Sequence, residues 1–206
     1  MSPVVQLAID QLVAYNAWDL EGFAACYHPD VRVFHGSELQ FQGRDALREA
    51  YRAKFEGGDF GGLVPRRIER DGACIEEEHY WTKSGARGCI LVEYTEGDGC
   101  LRTVRFTRFD ALVGPLETAL LAGTKTRVPG LGLFTPCTRK STGCRTVMFR
   151  SDDQATDDET VQAIQGWFEH QDTLELVGFG TFKLQKNRLL FHASDDFRDR
   201  LTAALF

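Results

Sequence analysis

Four alternating, extended segments follow one another through the middle of the chain, at residues 63–70, 73–82, 89–95 and 101–109. Asp71-Gly72 separates the first two, Asp98-Gly99 the last two, and Ser84-Gly85 punctuates the gap between the pairs. Asp-Gly is a favoured two-residue hairpin turn, so these segments read as an antiparallel meander. Such a sheet needs cover for its apolar face, and the residues upstream supply it. Residues 4–15 place Val5, Ile9, Leu12 and Val13 on one helical stripe. Asp19 is positioned to cap a second helix carrying Leu20, Phe23, Ala24 and Tyr27, with Pro29 as its stop. Residues 31–35 alternate like a strand, and 45–55 return to helical spacing with Leu47, Ala50, Tyr51 and Phe55. A glycine-rich stretch at 57–62 reads as a loop. Helices gathered ahead of antiparallel strands give an α+β class.

Composition narrows the function. Apolar residues make up 43% of the 206, with 15 Phe for a core, and the formal net charge is −6. That charge argues against a broad grip on nucleic acid. No apolar run approaches the ~20 residues of a membrane span. The N-terminal residues lack a signal-peptide pattern, so a cytoplasmic protein with no membrane partner is expected. The six cysteines form no C-x-x-C pair, and reduced thiols are expected. Cys137 and Cys144 flank a short hairpin and are the one pair placed for a redox clip.

The stretches Tyr15-Asn-Ala-Trp-Asp-Leu-Glu-Gly-Phe23, His28-Pro-Asp-Val-Arg-Val-Phe-His35, Gly43-Arg-Asp-Ala-Leu-Arg-Glu-Ala-Tyr51 and Glu96-Gly-Asp-Gly99 resemble the SnoaL-like branch of the nuclear-transport-factor-2-like superfamily. The resemblance implies a cone-shaped domain over residues 1–110, with a pocket between helices and curved sheet, often paired as a homodimer. Members include isomerases, cyclases, epoxide hydrolases and dehydratases. The ketosteroid-isomerase pattern of acid and tyrosine does not carry over. The acid's place falls on His35 and the tyrosine's near Gln11. His35 remains the candidate catalytic base, since imidazole titrates near neutrality. Trp18, Tyr27, Tyr51 and Phe55 are the candidate ligand-lining aromatics. The densest ionisable run is Glu76-Glu77-Glu78-His79. Alternation puts Glu76 and Glu78 on one strand face and Glu77 and His79 on the other; one pair could enter the cone as acid and base, but a half-solvated strand is the expectation there. One strand alone brings too few ligands together for a metal.

Residues 111–206 contain a repeat. Thr126-Arg-Val-Pro-Gly-Leu-Gly-Leu-Phe134 returns as Leu174-Glu-Leu-Val-Gly-Phe-Gly-Thr-Phe182, and Thr146-Val-Met-Phe-Arg-Ser-Asp-Asp153 as Leu189-Leu-Phe-His-Ala-Ser-Asp-Asp196. Helical patterns at 112–121 and 161–168 precede the copies, the second with a capping-box signature, Thr156-Asp-Asp-Glu159. Each copy reads helix, strand, turn, strand, and Phe197, Leu201, Ala204 and Leu205 close the chain as an amphipathic helix. The unit resembles the HU-like, or integration-host-factor-like, DNA-bending fold, which implies a pseudo-dimer of two helix-hairpin repeats. Leu131, Phe134, Phe179 and Phe182 are then expected in shared or equivalent cores. The family's long basic arm is missing, and residues 112–206 hold 11 basic and 12 acidic residues, net −1. The candidate nucleic-acid contacts are Arg139, Lys140, Arg145, Lys186 and Arg188, with weak, salt-sensitive DNA binding expected.

The leading expectation is a protein that binds a small apolar ligand or a protein partner, with no cofactor and no metal. The alternatives are an isomerase-, cyclase- or hydrolase-type enzyme using His35, and a weakly DNA-associated protein. No nucleophile elbow, zinc-protease helix or phosphate loop is present.

Overall fold

The computed structural model describes residues 1–140, 142–152 and 154–204. Two compact units divide the chain, Met1–Arg108 and Phe109–Phe206. The described residues include no helix long and apolar enough to cross a membrane.

The first unit runs α1 (Pro3–Asn16), α2 (Leu20–Ala25), β1 (Tyr27–His35), β2 (Glu38–Gln42), α3 (Arg44–Gly57), β3 (Gly61–Arg70), β4 (Ala73–Trp81), β5 (Arg87–Gly97) and β6 (Cys100–Arg108). Its six strands form one sheet in the order β2-β1-β6-β5-β4-β3. The meander β3–β6 is antiparallel, as the turns require. Asp71, Gly72, Asp98 and Gly99 all take positive φ, the conformation a two-residue hairpin turn demands. β1 then pairs parallel to β6. That pairing joins residues some seventy positions apart, and β2 and the single helix α3 connect β1 to the meander.

Asp19 caps α2, its side chain accepting from the Gly22 amide. Pro29 does not terminate that helix, which ends at Ala25. It lies inside β1, where the register against β6 shifts between Tyr27 and Arg32, and the irregular stretch tolerates a residue with no amide proton. The buried stripe of α1 also differs from its apolar spacing. Val4, Val5, Ala8, Gln11 and Tyr15 face inward, while Val13 is exposed. Gln11 takes the inward place because two tyrosines meet its side chain there.

The second unit contains α4 (Asp110–Leu121), β7 (Thr126–Val128), β8 (Gly132–Thr138), β9 (Arg145–Ser151), α5 (Glu159–Trp167), β10 (Thr173–Leu176), β11 (Gly180–Gln185), β12 (Arg188–Ala193) and α6 (Asp195–Ala203). Each copy is a helix with a three-stranded antiparallel sheet, β7-β8-β9 or β10-β11-β12, rather than a helix with a hairpin. The glycine pair accounts for the extra strand. Gly130 and Gly178 adopt positive φ and turn the chain within what reads as one extended segment. Gly132 and Gly180 then lie where a Cβ would strike the facing strand: Phe149 and the Arg150 carbonyl in one copy, Phe191 and the His192 carbonyl in the other.

This geometry corrects the sequence alignment of the copies by one residue. Gly132 pairs with Ser151 and Gly180 with Ala193, so Phe149 corresponds to Phe191. The copies meet through these rings. Phe134 lies 6.2 Å from Phe182 and 5.4 Å from Phe191, and Phe149 is 6.2 Å from Phe191. Leu131, Phe134, Phe179 and Phe182 are all buried. The capping box is also displaced. Asp158, not Thr156, caps α5 and accepts from the Val161 amide, while Thr156 accepts from the Asp158 amide. Phe197 and Leu201 bury one face of α6, and Ala204 is exposed. Asp153 of the repeat, Ser141 of the first hairpin and Leu205 of the closing helix lie outside the described residues. All six cysteines are free thiols. Cys137 faces Thr146 across its hairpin, so Cys144 is not its ladder partner.

Candidate functional site

A cavity of about 240 Å³ opens in the first unit between α1, α3 and the inner face of the sheet. Strand period brings alternate residues of β4, β5 and β6 to this face. The ladder then sets them in rows. Glu78 pairs with Ile90, and Ile90 with Arg108. The next row runs Glu76, Val92, Phe106 and His35. Glu78 and Arg108 therefore stand two strands apart, about 10 Å between their backbones, with Ile90 as the floor between them.

Helix α1 closes one side. The Tyr27 hydroxyl donates to Gln11 Oε1 at 3.2 Å, and Gln11 Nε2 donates to the Tyr94 hydroxyl at 3.1 Å and to the Ala8 carbonyl at 3.1 Å. This network satisfies a buried amide that would otherwise be costly. Helix α3 closes the other side with Tyr51 and Lys54. The Lys54 ammonium donates to the Tyr15 hydroxyl and lies 4.7 Å from the Tyr15 ring centre and 5.0 Å from that of Phe60. These cation–π contacts hold it at the wall.

Glu78 is only 8% exposed, yet its carboxyl has no hydrogen-bond or ion-pair partner among the described residues. Burial, and then the neighbouring Glu76, push its pKa up to about 7, against a smaller opposing pull from Lys54. His35 moves the other way. Burial and the Arg108 charge lower it, so its imidazole is neutral near pH 7. Burial likewise depresses Lys54 and raises Tyr51. His35, Tyr51 and Arg108 also lack hydrogen-bond and ion-pair partners among the described residues. The cavity thus presents a neutral base, a phenol, an acid titrating near neutrality and a guanidinium, all with unspent hydrogen-bonding capacity.

The sequence candidates divide. His35, Tyr27 and Tyr51 line the cavity. Trp18 does not: it is half-exposed at positive φ, and its indole Nε1 donates to the Phe60 carbonyl at 2.8 Å. Phe55 is also absent from the lining, because it packs behind it against Tyr15, Phe23 and Phe60. On α3 the residue before it, Lys54, reaches the cavity instead. Lys54, Tyr94 and Arg108 are not singled out by sequence, and Glu78 is singled out only within the acidic run 76–79. Their only signals were the three-residue spacing of Tyr51 and Lys54, and the parity of the strands.

The expectation of a half-solvated strand at Glu76–His79 is overturned. Glu76, Glu77 and Glu78 are all buried. Arg67 pairs with Glu76 from the adjacent strand, while the other Glu76 oxygen is buried without a partner. On the opposite face Glu77, His79 and Cys89 place one ligand atom each within 4.8 Å of one another. That set includes a soft thiol, but the Glu77 oxygens are already engaged, one by His79 at 2.8 Å and the other by Arg66 at 2.7 Å. The cluster is a satisfied ion pair as it stands.

In the second unit, Arg139 and Lys140 are exposed at the first hairpin, and Lys186 and Arg188 at the second. Lys186-Asn187 is a two-residue turn at positive φ. Arg145 turns inward, its guanidinium donating to the Leu201 carbonyl and its amide to the Thr202 hydroxyl. It is thereby committed to packing α6 on β9.

No family model matches the chain, and no curated protein matches it. Solved structures do. A cystatin-fold protein from Novosphingobium aromaticivorans is 16% identical over 52% of this chain and 99% of its own, with a TM-score of 0.47. A ketosteroid isomerase assignment from Kribbella flavida is 21% identical over 52% of this chain and 77% of its own, at 0.44. TerC, co-crystallized with polyporic acid, is 19% identical over 56% and 98%, at 0.46. Each likeness spans about half of this chain.

Proposed function

We propose that the first unit binds a small ring-bearing molecule in its cavity and exchanges a proton with it at Glu78. The observation that carries this reading is a buried carboxyl, without a protein partner, facing an aromatic-walled cavity. An unpaired buried acid costs free energy unless something completes it, and such groups concentrate where chemistry is done. A pKa near 7 lets the carboxyl take and return a proton at neutral pH. The Tyr51 and Tyr94 hydroxyls are placed along the wall to hold a ligand oxygen. His35, neutral and one row away, is the second group able to accept a proton.

The test is calorimetric titration of the full chain with a panel of small ring ketones, phenols and quinones in two buffers of different ionisation enthalpy. Binding with proton uptake or release is expected, and Glu78→Gln should remove the proton linkage. If no compound binds, or if the variant shows the same linkage, the reading is wrong.

For the second unit we infer a contact module rather than a DNA-bending one. Its turns are short, Arg145 is spent on packing, and four exposed basic residues on two hairpins offer few phosphate contacts. The HU-like resemblance then reflects a repeated helix and Gly-x-Gly-x-Phe turn turned to protein contact. Titration with duplex DNA across ionic strength should give weak binding lost by physiological salt; tight, sequence-selective binding there would overturn this.

A further inference from the structure

We infer that the molecule held in the cavity carries an oxyanion, a carboxylate on a ring system, seated on Arg108 with support from Lys54, while its far end meets Glu78. The inference rests on the cavity being a binding site and adds the chemical class of its occupant.

The first argument is charge. The chain as a whole carries −6. The cavity wall runs against that: Lys54 and Arg108 are its cations, and Glu78 its one acidic side chain. A surface biased to negative overall, with a cation-rich recess, favours an anion in that recess.

The second argument is the state of the cations. Most arginines of the first unit have carboxylate partners. Arg48 pairs with Glu21 and Asp45, Arg52 with Glu49, Arg66 with Glu77, Arg67 with Glu76, Arg70 with Asp71, Arg102 with Asp98 and Arg105 with Glu93. Arg108 has none among the described residues, although it belongs to a sheet rich in glutamate. Its guanidinium offers a planar fork that suits a carboxylate bidentately. Lys54 is bound only to a tyrosine hydroxyl and ring faces, which leaves ammonium protons for a ligand.

The third argument is spacing. Arg108 and Glu78 bracket Ile90 in one row of the sheet, and Tyr51 and Phe106 flank that row. A flat bicyclic molecule laid on Ile90, its carboxylate toward Arg108 and a hydroxyl or carbonyl toward Glu78, satisfies both ends at once. At about 30 Å³ for each water displaced, the cavity holds roughly eight waters, which suits a molecule of that size.

The probes are 6-hydroxy-2-naphthoate, its methyl ester and 2-naphthol, titrated into the full chain and followed by their own fluorescence. The acid is expected to bind at least about tenfold tighter than the ester, the scale of a charge-assisted hydrogen-bond pair. Arg108→Leu should bring the acid down to the level of the ester, and Arg108→Lys should recover part of the preference. Arg108 is exposed at a strand end, so the variant's fold is checked by an unchanged thermal transition. If ester and naphthol bind as tightly as the acid, the carboxylate assignment falls while the binding pocket stands. If Arg108→Leu keeps the preference, Arg108 is not the seat. If none of the three binds, the reading of the cavity as a ligand site falls with it.

Discussion

Glu78→Gln should stabilise the first unit, and only above a defined pH. The ordinary carboxyl value is 4.5, and in the folded chain Glu78 is pushed up to about 7. Between those values the unfolded chain has released its proton and the folded chain has kept it. Stability is therefore full below about pH 4.5, falls as pH rises toward 7, and is flat beyond. The difference of about 2.5 units corresponds to about 3 kcal/mol at pH 8. Because the group is 8% exposed, solvent screens little of it. The charged and titratable groups around it are Glu76 and Tyr80 on β4, Tyr15 on α1, Tyr51 and Lys54 on α3, Tyr27 and His35 on β1, Tyr94 on β5 and Arg108 on β6. Of these, Glu76 is raised by burial against the opposing pull of Arg67, and His35 is lowered by burial and by the Arg108 charge. The assay is urea unfolding at pH 4, 6 and 8, with hydrogen exchange read on peptides of β4 and β5 so that the second unit does not contribute. The variant should match the native chain at pH 4 and exceed it by about 3 kcal/mol at pH 8. An equal difference at all three pH values would refute the reasoning, as would a variant less stable at pH 8.

Three further outcomes follow from packing. Gln11→Leu removes the acceptor of the Tyr27 hydroxyl and the donor to Tyr94, and should cost about 1–3 kcal/mol in chemical denaturation of the first unit. Phe134→Ala should destabilise both copies of the second unit together, by about 3–5 kcal/mol, because its ring touches Phe149, Phe179, Phe182 and Phe191; exchange protection lost in one copy alone would contradict this. Gly180→Ala sets a Cβ 2.5 Å from the His192 carbonyl, a backbone atom with no rotamer to yield, and should lower the thermal midpoint of the second unit, whereas Gly166→Ala meets nothing within 4 Å and should not.

What the sequence made legible was local. The Asp-Gly pairs state their turn type in two residues, so the meander strands fall within about two residues of where spacing puts them. The cap at Asp19 is legible for the same reason. What was hidden depends on partners far away in the chain. Nothing near Pro29 announces a bulge, since the register shift is set by β6. Gln11 reads as a polar interruption of a helix until Tyr27 and Tyr94 are brought to it. Alternation separates Glu76 and Glu78 from Glu77 and His79 correctly. It does not reveal that both faces of the strand are covered, so an apparently solvated run becomes the buried acid of the site. Arg108 is the last residue of its strand, and only the row through Ile90 shows that it belongs opposite Glu78.

The phenylalanine cluster shared by the two copies also sets a schedule for synthesis. Phe134 and Phe149 leave the ribosome with the first sheet, which ends at Ser151, but the rings that cover them arrive on β11 and β12, the latter ending at Ala193. At roughly 5–20 residues per second, those intervening residues take about 2–8 s to make. For that interval the nascent first copy shows an uncovered aromatic face to solvent or to a chaperone. A stall placed between α5 and β11 would hold it there, and it is at this point that the chain would be captured or would aggregate.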